Sequence, residues 1–437
     1  ILRVSPDHFK CYETFWIQAL SVVILNLQIE LKNILLITSK RLEGEGRKIT
    51  FIFSFIIVLL QPQIYSQSIR VGAEDTAAYF PLLREKNIAV VANQTSRVFD
   101  MHLVDVLLNF NFSVRKVFSP EHGFRGVGDA GEKIKDQRDK KTGLPIKSLY
   151  GTSKKPNSND LKGIDVVVFD IQDVGVRFYT YISTMHYVME ACAENNVQFI
   201  VLDRPNPNGF YIDGPVLDPK FKSFVGLHTI PIVHGLTVAE LAVMINNEGW
   251  LENGIKCNLK VVECTNYSHK DRSILPVTPS PNLPNQRAIY LYPSLGLFEG
   301  TEISVGRGTD FPFQQIGAPE LQAGDDYFTP KPNVGSKYPP YLGEKCRGFD
   351  LRNHPIAVPS DSQGIYLHWL KVTHEHFKGS EPYFKKSGFF NLLAGSDQLQ
   401  NQIKLGVDLK TIQESWKEDL NQYSKLRKRY LLYKDFN

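Results

Sequence analysis

The chain has 437 residues, 42% of them hydrophobic and 22% charged, with 31 Gly, 25 Pro and 5 Cys. That composition excludes a disordered chain, a disulfide-stapled scaffold and a fibre, and the length provides for two domains with ample core. Lys plus Arg number 50 against 46 Asp plus Glu, and a formal charge of +4 leaves no electrostatic footprint for nucleic acid.

The first segments read as processing signals rather than fold. The chain begins at Ile1, not Met, and Phe15–Ile37 is apolar but interrupted by Gln18, Asn26, Gln28, Glu30, Lys32 and Asn33. Those residues spoil it as a membrane span, and residues 1–46 are read as an upstream extension that does not fold. Arg47 and Lys48 then precede the apolar run Phe51–Leu60, which is followed by Ser66. A basic flank, a short apolar run and a small residue for cleavage make residues 47–66 a secretory signal peptide; the alternative is a buried element of a folded domain. The run is too short to span a bilayer. The mature chain is therefore expected to be exported, periplasmic or secreted, with no stable membrane span. Cys192, Cys257, Cys264 and Cys346 follow the cleavage point. Export would permit a Cys257–Cys264 bridge, but sparse buried thiols are the expectation.

From Ile69 onward strands and helices alternate. Asn87–Ala92, Val114–Phe118, Asp165–Phe169 and Gln198–Leu202 are short apolar runs, and Met101–Phe110 and Tyr181–Glu194 have helical spacing. Thr237–Asn247 reads as a helix capped by Thr237 with Glu240 three residues on. Wholly apolar strands between amphipathic helices predict an α/β fold, a doubly wound parallel sheet covered on both faces, over residues 67–285. Prolines crowd the chain after Leu275, and apolar strand-like runs are scarce until Gly364–Val372. Residues 286–437, ending in a charged helical tail, are read as a smaller α+β domain that packs against the first.

Each predicted strand runs out into polar residues. Asn93, Gln94 and Thr95 come after the first, and Ser119, Pro120, Glu121 and His122 after the second. Asp170, Gln172, Asp173 and Arg177 come after the third, and Asp203, Arg204, Asn206 and Asn208 after the fourth. In open parallel sheets ligands bind beyond the carboxyl ends of the strands. These side chains suit a polyol or a proton transfer. Gly126–Gly131 matches G-x-G-x-x-G, but seven residues separate it from the strand and no apolar helix face comes after it, so it is read as accidental and no nucleotide cofactor is expected. HExxH, GxSxG and P-loop motifs are absent. His122, Asp170 and Asp173 lack paired metal-ligand spacing and are read as hydrogen-bonding groups, with no metal. Glu121, between Pro120 and His122-Gly123-Phe124, sits on a shaped turn where desolvation would favour a general acid. A structural ion pair with Arg125 is the equally weighted alternative.

SPEHGFRG at Ser119–Gly126, DIQDVGVRFYTY at Asp170–Tyr181 and DRPNPNG at Asp203–Gly209 form a specific pattern. Tyr292–Phe313 and the closing RYLLY at Arg429–Tyr433 extend it over both domains. The pattern resembles the NamZ-type exo-β-N-acetylmuramidases, glycoside hydrolase family 171, over about residues 69–437. The resemblance implies a Rossmann-like domain, a smaller C-terminal domain and an exo-acting glycosidase. Its expected substrates are peptidoglycan-derived muropeptides or disaccharides bearing terminal β-1,4-linked N-acetylmuramic acid. The family's proposed catalytic glutamate falls on Glu121. Glycoside hydrolysis usually needs a second carboxylate, for which Asp170, Asp173 and Glu302 are candidates; the substrate's own N-acetyl group is the other possibility. Arg125, Arg177, Arg204 and Arg307 are candidates to grip the lactyl carboxylate, each with a structural ion pair as alternative. Tyr179 and Tyr181 are candidates to stack on the sugar, or else to pack. His122, Gln172, Asn206 and Glu302 complete the expected binding set. A silent cell-wall carbohydrate-binding protein with the same cleft is the competing function.

Overall fold

The computed structural model describes residues 68–124, 136–151, 153–355 and 364–436. The expected upstream extension, the signal peptide, Arg125 and the glycine motif at 126–131 lie outside them.

Among the described residues, the first part of the chain forms β1 (Asn87–Ala92), β2 (Arg97–Val98), β3 (Met101–His102), β4 (Ser113–Ser119), β5 (Gln137–Arg138), β6 (Pro145–Ser148), β7 (Val166–Asp170), β8 (Gln198–Leu202) and β9 (Leu259–Val262). Seven of these form one sheet in the order β5-β6-β4-β1-β7-β8-β9, while β2 and β3 form a small hairpin. Every pairing in the large sheet is parallel except that of β5. The chain runs from β1 to β4 and β6 on one side, then returns to build β7, β8 and β9 on the other. The order therefore reverses at β1, which is where such sheets open a crevice.

Alternate strand residues feed opposite layers, as the two-residue period of a strand requires. Ala89, Val91, Val167, Phe169, Phe199 and Val201 pack with the helices Tyr181–Glu194 and Val238–Asn247. Ile88, Val90, Val166, Val168, Ile200 and Leu202 face the helices Thr76–Leu83 and Leu103–Asn109. The strands are covered on both faces, which explains their continuous apolar runs. Thr237 caps its helix as expected, with Oγ1 accepting from the Glu240 amide and the Glu240 carboxylate accepting from the Thr237 amide.

After the helix Gln286–Leu295, strands β10 (Gln315–Ala318), β11 (Asp326–Phe328) and β12 (Cys346–Asp350) form a small antiparallel sheet. The apolar run at Gly364–Val372 proves to open a helix, His368–His376, whose buried Trp369, Leu370 and Thr373 follow helical spacing. The tail is helical over Gln398–Lys404, Leu409–Glu414 and Lys417–Arg427. Ile289, Leu295, Ile316, Trp369, Ile412 and Tyr423 join the same apolar cluster as the sheet, and Ile69–Asn437 forms one compact unit. Among the described residues no helix is long and apolar enough to cross a membrane. Cys192, Cys257, Cys264 and Cys346 are unpaired and buried, so the buried-thiol expectation stands and the Cys257–Cys264 bridge does not form.

The C-terminal segment is tied to the sheet edge. Tyr433 donates to Asp203 Oδ2 at 2.6 Å and accepts from the Cys264 amide, while the Leu432 amide donates to Glu240. Asp203 is fully buried just beyond β8, and burial pushes its carboxyl up to about 7, against the bonds from Tyr433 and the Ala239 amide. The folded protein thus retains a proton that the unfolded chain releases near pH 3.8. Stability contributed by this group is full below that pH and is lost as pH rises through about 7. Asp203→Asn, with no proton to lose, is expected to gain stability relative to wild type steadily between pH 4 and 7. Urea unfolding across that range measures the difference, and a flat difference would contradict the assignment.

Candidate active site

Glu121 stands immediately beyond β4. Pro120 O accepts from the Gly123 amide at 3.0 Å, and His122, at the third position of this turn, has a φ of +68°. A positive φ at that position is the mark of a type II turn, normally served by Gly or Asn. Phe124 does not line the cleft. It is 1% exposed and packs edge-on against His102 at 4.8 Å, anchoring the turn from below.

The turn leaves Glu121 half-buried at a cleft of about 580 Å³. Thr180, from the segment after β7, donates to Glu121 Oε2 at 3.0 Å. The Tyr150 hydroxyl bonds the same carboxylate, and burial together with that charge pushes the phenol's pKa up, so it stays a donor. Tyr179 and Tyr292 form an aromatic wall, with ring centres 5.8 Å apart, and Tyr179 also meets Tyr181 edge-on at 4.7 Å. Further lining comes from the C-terminal region, where Lys337 and Tyr338 belong to an outer loop and Tyr338 is 89% exposed.

A second carboxylate lines this cleft, and it is Glu299, which sequence reasoning missed. Glu299 lies in the 3-10 stretch Gly296–Gly300. Its Oε1 accepts from Arg307 Nε at 3.1 Å and Nη2 at 2.5 Å. Arg307 lies over the Phe313 ring at 5.1 Å, and Glu299 holds its guanidinium charged against the cost of burial. The signal was within the matched motif, three residues before the expected Glu302. The Glu302 side chain does not line the cleft; its backbone carbonyl accepts from Tyr341 and its amide bonds Tyr383 O.

Of the other expected residues, among those described, His122, Tyr179 and Arg307 reach the cleft and the rest do not. Asp170 is fully buried and spent on Arg204, with Nε to Oδ1 at 2.6 Å and Nη2 to Oδ2 at 3.0 Å. Burial raises the Asp170 carboxyl and Arg204 opposes it. Arg204 also donates to Arg97 O, so neither partner is available to a sugar in this cleft. Asp173 is buried, accepts from the Gly175 amide at 2.7 Å and lies 3.6 Å from His234 Nε2. Gln172 donates to the carbonyls of Asp173 and Pro205, and Asn206 donates to Leu236 O while accepting from the Asn208 amide. Gly175 permits that packing, since a Cβ there would lie 2.2 Å from Asn206 Oδ1. Arg177 is fully buried and donates to the carbonyls of Pro215, Ile230 and Leu393, pinning the helix Phe389–Ala394 to the sheet domain. These side chains satisfy buried backbone, which explains their polarity without substrate.

Among the described residues, the grouping with metal-ligand spacing is Glu190, Glu194 and Glu252. It already holds the Lys155 ammonium, 2.7 Å from both Glu190 and Glu194.

Residues 88–287 match the family model for the exo-β-N-acetylmuramidase NamZ N-terminal domain, and residues 290–433 match the model for its C-terminal domain. The chain belongs to the NamZ exo-β-N-acetylmuramidase family. It is 40% identical over 377 residues to the peptidoglycan β-N-acetylmuramidase NamZ of Bacillus subtilis strain 168, covering 81% of this chain and 89% of that protein. Two crystal structures of DUF1343 family proteins from Bacteroides fragilis NCTC 9343 share the fold. One has 46% identity and a TM-score of 0.77, with 84% of this chain and all of the other covered. The second has 29% identity and a TM-score of 0.71, with 84% and 99% covered. The cleft of this chain is lined by Glu121 and Glu299, while the buried strand-end residues serve as scaffold.

Removing the scaffold should cost stability. Arg177→Ala strands three buried carbonyls and is expected to lose about 3 kcal/mol or more of unfolding free energy, read by urea denaturation. A loss under about 1 kcal/mol would show that water readily replaces the guanidinium.

Proposed function

We propose that the protein is an exo-acting glycoside hydrolase that releases terminal non-reducing β-1,4-linked N-acetylmuramic acid from peptidoglycan fragments. The observation that carries this reading is the Glu121 carboxyl, set on a rigid turn and opening into a cleft, in a chain of the NamZ family. Glycosidic cleavage passes through an oxocarbenium-like state, and the departing oxygen must receive a proton as its bond to C1 breaks. Glu121 supplies it. Thr180 and Tyr150 orient the carboxyl, and the tyrosine wall offers an apolar face to the pyranose ring.

The cleft volume lies within the roughly 300–1,000 Å³ of small-ligand sites, which suits a terminal sugar and part of its neighbour rather than a long strand. Arg307 and Lys337 in its wall favour a sugar bearing a carboxylate, and the lactyl ether of muramic acid supplies one. The basic and apolar pattern of Arg47, Lys48 and Phe51–Leu60 supports export, in keeping with a substrate from the cell wall.

Wild-type protein is expected to release the aglycone from a chromogenic β-N-acetylmuramide, and Glu121→Gln to lower kcat by ~10²–10⁴-fold while muramic acid still binds. Unchanged turnover in that variant would remove Glu121 from the mechanism. Muropeptide binding by wild type without any product in mass spectrometry would instead establish the carbohydrate-binding alternative.

A further inference from the structure

Cleavage assisted by a carboxyl acid leaves positive charge at C1, and something must meet that charge on the face opposite the leaving oxygen. We infer that Glu299 is this second catalytic carboxylate and that Arg307 is its positioning residue. The inference rests on the glycosidase reading above and identifies the group which that reading leaves unnamed.

Three observations carry it. Glu299 shares the cleft with Glu121, whereas Asp170, Asp173 and Glu302 do not line it. Its two oxygens are used unequally: Oε1 takes both N–H bonds from Arg307, which leaves Oε2 without a donor among the described residues, on a side chain 26% exposed. The backbone beneath it is fixed, for Lys385 Nζ bonds Glu299 O at 3.1 Å and the Lys385 amide bonds Gly300 O at 3.0 Å. Gly300 itself sits against the helix Phe389–Ala394, where a Cβ would lie 2.4 Å from Phe390 Cα. A carboxylate with one oxygen clamped, the other open and a rigid base is preorganised for developing positive charge. Both Glu121 and Glu299 also bear electrostatically on Tyr150, Tyr292 and Arg307, so the two act on one small volume.

In the step so assigned, the bond from C1 to the glycosidic oxygen breaks with its electron pair passing to that oxygen, which takes the proton of Glu121. The charge left at C1 is met by Glu299 Oε2 on the opposite face. Water completes the reaction, its oxygen bonding C1 and one of its protons restoring the acid, so that H and OH are added across the bond and nothing else is consumed.

The test uses the whole protein and a chromogenic β-N-acetylmuramide. Glu299→Gln and Glu299→Ala are expected to lose ~10²–10⁴-fold in kcat. Glu299→Asp, which keeps the charge but withdraws Oε2 by one methylene, is expected to lose a comparable factor with its fold intact. Sodium azide should then restore turnover of Glu299→Ala by entering the vacated face, giving the α-configured N-acetylmuramyl azide by NMR. Folded variants within fivefold of wild type, a folded alanine variant that azide does not rescue, or a β-configured azide each overturn the inference. The β product would mean that the substrate's own acetamido group does this work. In each of those cases wild-type turnover leaves the glycosidase reading standing, whereas an inactive wild type sinks that reading and this inference with it.

Discussion

A parallel strand cannot reach its neighbour by a tight turn; the chain must cross over and begin again at the same edge. Every parallel strand of the large sheet therefore ends on one side, and the loops that leave β1, β4, β7 and β8 all emerge there. Because the order reverses at β1, the loops after β4 and β7 part rather than run together. Glu121 comes from one and Thr180 from the other, and their hydrogen bond spans 59 residues of chain. The placing of Glu121 beside Thr180 depends on this topology more than on any single contact.

The crevice becomes an enclosed site through the C-terminal region. Arg177 reaches from the sheet domain to Leu393 O, Asp213 accepts from Trp416 and from the Ile365 amide, and Tyr433 closes on Asp203. These are buried polar links between distant segments, set within one continuous apolar cluster. Low local dielectric strengthens such bonds and makes each expensive to lose. Glu299, Arg307 and Phe313 are thereby held in one cleft with Glu121 and the tyrosines, Phe313 meeting Tyr292 edge-on at 5.0 Å.

Division of labour among the polar residues follows from this burial. A loop leaving a buried strand carries backbone donors and acceptors that water cannot reach, so Gln172, Asn206, Asn208 and Asp173 serve the turns themselves. Asp170 and Arg204 neutralise each other beneath the surface. A smaller set lines the cleft: Glu121 and His122 on a turn with a positive φ, the tyrosines, and the paired Glu299 and Arg307.

Continuous apolar runs of five or six residues declared the strands in the amino-acid order alone, because a sheet buried on both faces tolerates little else. The capping box at Thr237 was equally legible, being a contact three residues long, and so was the turn that presents Glu121. The short strands β10 to β12 were not, since their stability comes from partners far along the chain rather than from their own pattern. Neither was the choice between Glu299 and Glu302, or between Arg307 and the arginines at 177 and 204. Residues of one type in one motif differ in function according to which way each faces and what distant group neutralises it. Sequence determined the sheet, its ligand-bearing edge and the turn that carries Glu121; packing decided which remaining charges line the cleft, because a buried charge is claimed by whatever partner the fold brings nearest.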